Sequence, residues 1–123
     1  MWLPVTGSTS SEVSFLKPDL YNTLVIPSTA RNVISVAAYN SINQTYANFS
    51  GRGTLYDLKT HLTDYKPDMA APGVRINTCS VGGGYHSVSG TSFAAPFVTG
   101  AAALLMQYGI VNGNDPYLYG EKL

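Results

Sequence analysis

The sequence predicts an α/β fold built on a mostly parallel sheet with helical cover. Three observations carry that expectation. The run Asn32-Val33-Ile34-Ser35-Val36-Ala37-Ala38-Tyr39 is nearly continuous in apolar and β-branched residues. Such a run suits a strand buried on both faces, as in a parallel sheet flanked by helices. From Ser92 to about Tyr108, Ala, Leu, Met and Gln dominate, all good helix formers. That helix is apolar on nearly every side, which predicts a central, buried position. Finally, the 123 residues are 45% hydrophobic and only 11% charged. So little charge on a short chain implies either a deeply buried core or neighbours that cover apolar surface.

The elements follow in order. Met1-Trp2-Leu3-Pro4-Val5 reads as the last strand of something begun earlier. It lacks the basic start and long apolar stretch of a signal peptide, which leaves the location of the full protein open. Residues 6–21 are rich in Ser, Thr, Pro and Asp and suggest a loop or linker. Leu24-Val25-Ile26-Pro27 is a short β-type run stopped by proline. Ser41 to Thr54 is polar and reads as a surface loop. Lys66-Pro67-Asp68 leads into Met69-Ala70-Ala71-Pro72-Gly73, and Val74 and Ile76 form a short strand. Gly82-Gly83-Gly84 makes a turn toward Tyr85-His86-Ser87-Val88-Ser89. After the long helix, Gly109 is the expected stop. Asn112-Gly113-Asn114 is a turn, and Asp115-Pro116 signals a further helix over Tyr117 to Leu123, with Asp as N-cap and Pro at the first helical position.

Composition excludes several functions. Seven basic and seven acidic residues cancel, so nothing attracts nucleic acid or an anionic membrane. No uninterrupted apolar run reaches the ~18 residues of a membrane span. The longest, Phe93 to Met106, is broken by Thr99 and Gly100. Cys79 is the only cysteine, so neither an internal disulfide nor a Cys-based metal site can form. It reads as a small buried or half-buried filler. No carboxylate cluster suggests a dedicated calcium site, and no cofactor is expected.

The chemistry concentrates at Gly90-Thr91-Ser92-Phe93-Ala94-Ala95-Pro96. A serine hydroxyl is a weak nucleophile that needs a base to take its proton and donors to hold an oxyanion. At the start of a buried helix its position is fixed, and the first backbone N–H groups point outward with positive dipole character. Gly90 lets the backbone approach a substrate closely. Ala94 and Ala95 let the first turn pack tightly. Pro96 deprives the Ser92 carbonyl of its usual donor four residues on.

Four segments, in order, resemble the subtilisin family. Gly90-Thr91-Ser92-Phe93-Ala94-Ala95-Pro96-Phe97-Val98-Thr99-Gly100 is similar to its serine signature. Lys66-Pro67-Asp68-Met69-Ala70-Ala71-Pro72-Gly73 is similar to the segment preceding that signature. Asn32-Val33-Ile34-Ser35-Val36-Ala37-Ala38 resembles a family strand, with Ala37 where Gly is usual. Tyr46-Ala47-Asn48-Phe49-Ser50-Gly51-Arg52-Gly53 resembles the loop after it. Phe93 stands where Met is usual and Phe97 where His is usual. Residues 1–20 and the tail from Gln107 are similar to a clostridial-type subgroup that carries a β-rich jelly-roll insertion.

The resemblance implies the C-terminal portion of a three-layer α/β/α subtilisin-like domain. Residues 1–20 would end an upstream β-rich insertion or linker, and residues 21–123 would belong to the catalytic domain. It implies a serine endopeptidase working through an acyl-enzyme on Ser92, with Gly90 and Thr91 lining the cleft. The family's Asp, His and oxyanion Asn come before the matched region, in the chain order Asp, His, Ser. No Asp-Thr/Ser-Gly or His-Gly-Thr-His motif precedes Ser92, so the 123 residues alone are expected to be inactive. The expected partners are a protein or peptide substrate and the N-terminal remainder of the domain, with neither nucleic acid nor membrane. A structural calcium in the parent stays open, and the parent is expected to be secreted or associated with the cell envelope or spore. The alternatives are a pseudoprotease or a non-catalytic interaction module on the same fold.

Other polar residues read as structural. His86, six residues before Ser92, is not the expected base, which the family takes from a helix far upstream. His61 reads as a solvated loop residue. Asp68 is expected to fix the local backbone through Asx-type hydrogen bonds. Tyr108, Tyr117 and Tyr119 read as packing residues.

Overall fold

The structure, a computed structural model, describes residues 16–17, 21–56 and 63–123. The readings of residues 1–15 and of His61 fall outside these, as does most of the expected 1–20 segment.

Among the described residues seven short strands precede one long helix: β1 Val36–Asn40, β2 Thr45–Tyr46, β3 Gly53–Tyr56, β4 Thr63–Lys66, β5 Met69–Pro72, β6 Ile76–Cys79, β7 Tyr85–Val88 and α1 Thr91–Met106. β1 sits at the centre of a three-stranded sheet of order β2-β1-β5. The β1·β5 pair is parallel, with Ala37 opposite Ala70 and Ala38 opposite Ala71. β1 meets β2 antiparallel, and β3·β4 and β6·β7 are separate antiparallel ladders. Apolar residues continue without alternation through the parallel pair, as in strands that are to be covered on both faces, but among the described residues only Ala37 and Ala38 of β1 and Ala71 of β5 are buried. β5 itself was not expected as a strand; Met69–Pro72 contains two alanines and ends in proline, so its β signal is weak.

α1 packs on β1 and β5 through small side chains. The buried cluster is Ala38, Ala47, Ala71 and Ala94, with Val36, Val74 and Val98 packed against it. Alanine at each contact lets helix and sheet approach closely. Gly73 extends this: a Cβ there would lie 2.6 Å from the Ala38 Cβ and 3.3 Å from that of Ala94. A buried polar bond secures the turn beside the cluster, since Ala38 N–H donates to Ser50 Oγ at 3.0 Å.

At its other end, α1 runs directly into a π turn, Gln107–Val111. Gly109 therefore does not stop the helix. Its role is close packing: a Cβ there would lie 2.8 Å from the Asp115 carbonyl oxygen and from Leu118. Asp115 caps no helix either. Its Oδ1 accepts the Tyr117 N–H at 3.1 Å and its carboxylate pairs with Lys122 at 2.9 Å. Only a short 3₁₀ turn, Gly120–Lys122, follows. Leu24–Pro27 is not a strand, and Cys79 is exposed rather than buried.

The outward side of α1 departs most from expectation. Ala94 is its one buried residue, while Phe97, Leu104 and Leu105 are exposed, as is Tyr108 in the π turn that follows. Tyr117 and Tyr119 are exposed too. A central, buried helix was expected, but the described residues cover only one side of α1. The whole helical run Thr91–Val111 is 21 residues, long and apolar enough to cross a membrane by length and composition alone. Its small-residue contact with β1 and β5 matches a helix in a layered core.

Candidate active site

The loop from β7 reaches α1 through Ser89 and Gly90. Gly90 is the N-cap, with an extended backbone and no side-chain cap. Thr91 and Ser92 are the first two helical residues. The Phe93 N–H donates back to the Gly90 carbonyl at 3.1 Å. Among the described residues the Ser92 N–H has no hydrogen-bond partner, as helix geometry requires of a second-position amide. Ser92 is exposed, and Gly90 and Thr91 are half-buried. The structure thus places an accessible hydroxyl beside an unpaired backbone donor, at the positive end of a 16-residue helix. Pro96 lies within α1 and offers no N–H to the Ser92 carbonyl.

Gly90 has a packing reason as well as the expected one. A Cβ there would sit 3.3 Å from the Phe93 ring. That ring, with Pro96 and Phe97, faces Ile76, Asn77 and Thr78 of β6 across an open depression of about 280 Å³. The depression adjoins the serine turn and is mostly apolar.

Two further bonds hold the approach to Ser92, and sequence reading missed both. The Gly90 N–H donates to the Gly73 carbonyl at 2.8 Å. The Arg75 N–H donates to Ser89 Oγ at 2.9 Å. Arg75 has a positive φ of 54°, unusual for a residue with a Cβ. The sequence reading of this segment, a family-like run ending at Gly73 and a short strand from Val74 and Ile76, carried no signal for either bond; the strand begins only at Ile76.

The remaining titratable groups stay apart from the serine. His86 lies on β7 opposite Thr78 and makes no hydrogen bond to Ser92 among the described residues. Asp68 acts structurally, across the sheet as well as within its own segment. Its Oδ2 accepts the Ser35 N–H at 2.7 Å, the Ser35 hydroxyl at 2.9 Å and the Lys66 ammonium at 2.7 Å. Burial alone would push the Asp68 carboxyl up. The Lys66 and Ser35 hydrogen bonds outweigh that and hold it below the usual carboxylate range. Among the described residues no group of three His, Cys, Asp or Glu could hold a metal ion.

Comparison with known proteins shows the family. The model described as "Subtilase family" matches residues 11–115. The chain is 39% identical over 85 residues to a subtilisin of Bacillus pumilus, covering 69% of this chain and 26% of that protein. It is 45% identical over 60 residues to the PII-type proteinase of Lactococcus lactis subsp. cremoris, covering 48% of this chain and 3% of that one. The solved CspB protease of Clostridium perfringens superposes with a TM-score of 0.77 at 48% identity, over 87% of this chain and 22% of that one. The chain therefore spans about a quarter or less of each of these relatives.

Proposed function

The chain belongs to the subtilase family, and we propose that in the full-length protein Ser92 is the nucleophile of a serine endopeptidase. Homology supports a serine protease. The observation that carries the finer reading is the exposed Ser92 at the N-terminus of α1, with its own N–H unpaired.

In this reading the Ser92 Oγ attacks the scissile carbonyl carbon of a protein or peptide substrate. The carbonyl π electrons move to oxygen, and the Ser92 N–H donates to that oxyanion. The hydroxyl proton passes to a base and then to the leaving amine, giving the acyl-enzyme; water repeats the attack and releases the acid. Gly90 and Thr91 line the cleft. The base, the group that orients it and a second oxyanion donor come from the rest of the domain. Two facts support a partner of that kind. The relatives are several times longer than this chain, and α1 exposes Leu104 and Leu105. A secreted, envelope- or spore-associated location is part of the same proposal and rests on the family alone.

The test is hydrolysis of a peptide amide by the full-length protein and by its Ser92→Ala variant. The expected result is activity that the substitution abolishes. Activity unchanged by Ser92→Ala overturns the assignment. No activity in either protein favours a pseudoprotease or interaction module instead.

A further inference from the structure

We infer that Gly73 is a positioning residue for Ser92, holding the serine turn through a backbone clamp between residues 73–75 and 89–90. The inference rests on the nucleophile reading above. Gly73 leaves β5 with its N–H bonded to the Tyr39 carbonyl at 3.0 Å, which ties it to β1. Its own carbonyl accepts the Gly90 N–H at 2.8 Å. Two residues on, Arg75 donates to Ser89 Oγ at 2.9 Å. The two bonds run from the same two short segments, so the residues just before Ser92 are held at both points to the end of the parallel sheet.

There is no room to alter this clamp. A Cβ on Gly73 would lie 2.6 Å from the Ala38 Cβ, 3.0 Å from the Gly90 carbonyl oxygen and 3.3 Å from the Ala94 Cβ. Ala38 and Ala94 are both 0% exposed, so neither can yield into solvent. The Gly90 carbonyl is the acceptor that starts the helix, and Ala94 lies two residues after Ser92. A methyl group at position 73 therefore pushes on the serine turn from both sides of Ser92. Displacing a nucleophile by about 1 Å can cost about 10²-fold in rate.

The experiment uses the full-length protein. Gly73→Ala is expected to lower kcat for a peptide amide about 10²-fold with little change in KM. The double variant Ala38→Gly/Gly73→Ala removes the 2.6 Å contact but keeps those to Gly90 and Ala94. Its Tm should recover toward wild type while its kcat stays low. Recovery of kcat in step with Tm makes Gly73 merely structural and overturns the proposal. Should Gly73→Ala not fold, the double variant and Ser89→Ala carry the test. Ser89→Ala, which removes the Arg75 acceptor without a clash, should lower kcat several-fold at near-normal Tm, and unchanged kcat overturns the clamp.

Amide exchange separates this proposal from the nucleophile reading. A wild-type protein that neither cleaves peptides nor takes a fluorophosphonate at Ser92 defeats that reading alone. The clamp then stands if the Gly90 amide exchanges faster in the double variant than in wild type, and falls if it does not.

Discussion

The Lys66 ammonium sits 2.7 Å from Asp68 Oδ2, with only Pro67 between them in the chain. Lys66 also donates to the Val33 carbonyl at 2.8 Å, and Asp68 accepts both donors of Ser35. The entry to β5 is thereby locked to the entry to β1, which sets the register of the parallel pair. That register fixes where Gly73 emerges and, through it, the loop ahead of Ser92.

This network has a pH signature. The folded-state pKa of Asp68 is lowered, so its contribution to stability is present above the unfolded value of about 3.9. It is lost as pH falls through the lower folded value. Asp68→Asn should therefore flatten the acid limb of a stability–pH profile of the full-length protein below about pH 4. A profile identical to wild type there would show that Asp68 makes no such contribution.

Ser50→Ala tests the buried bond to β1. It leaves the Ala38 N–H without its acceptor in a fully buried position. The expected loss is about 1–3 kcal/mol, read by chemical denaturation, since the amide keeps its desolvation cost without a partner. Ser50→Thr retains the oxygen and should lose less.

Two glycines of the same helical run should respond in opposite ways. Gly109→Ala meets atoms at 2.8 Å, and overpacking of about 1–3 kcal/mol outweighs a helix-propensity gain of about 1 kcal/mol. Gly100→Ala meets nothing within 4 Å among the described residues. It should raise the helicity of the 123-residue chain in circular dichroism. If another layer of the domain packs on α1, the same substitution should destabilise the full-length protein.

The 123-residue chain on its own should show no serine-dependent peptidase activity. In subtilisin, by measurement on that relative, losing the serine or the histidine alone costs on the order of 10⁶ in kcat. Peptide-amide hydrolysis by the pure chain that Ser92→Ala abolishes would overturn this expectation.

The serine turn was legible in the sequence because its chemistry is local. Gly90, Thr91 and Ser92 adjoin one another, and the change from β-type to Ala- and Leu-rich composition marks where α1 begins. The expected helix over Ser92 to about Tyr108 lies close to the observed Thr91–Met106. The strand through Val36 was visible only in part: of the expected run Asn32–Tyr39, the strand covers Val36 onward, and Val33 and Ile34 ahead of it are exposed. Elsewhere the local signals misled. Gly109 looked like a stop and Asp115-Pro116 like a start, because both read well in isolation. Each is decided by contact: Gly109 by the space under Leu118, and Asp115 by its pairing with Lys122.

The sequence by itself thus determined which residue is the nucleophile candidate and which helix presents it. Only the tertiary structure decided what holds that residue in place. The bonds from Gly73 to Gly90 and from Arg75 to Ser89 join segments more than a dozen residues apart. No propensity or spacing encodes them, because they exist only once β1, β5 and α1 have packed.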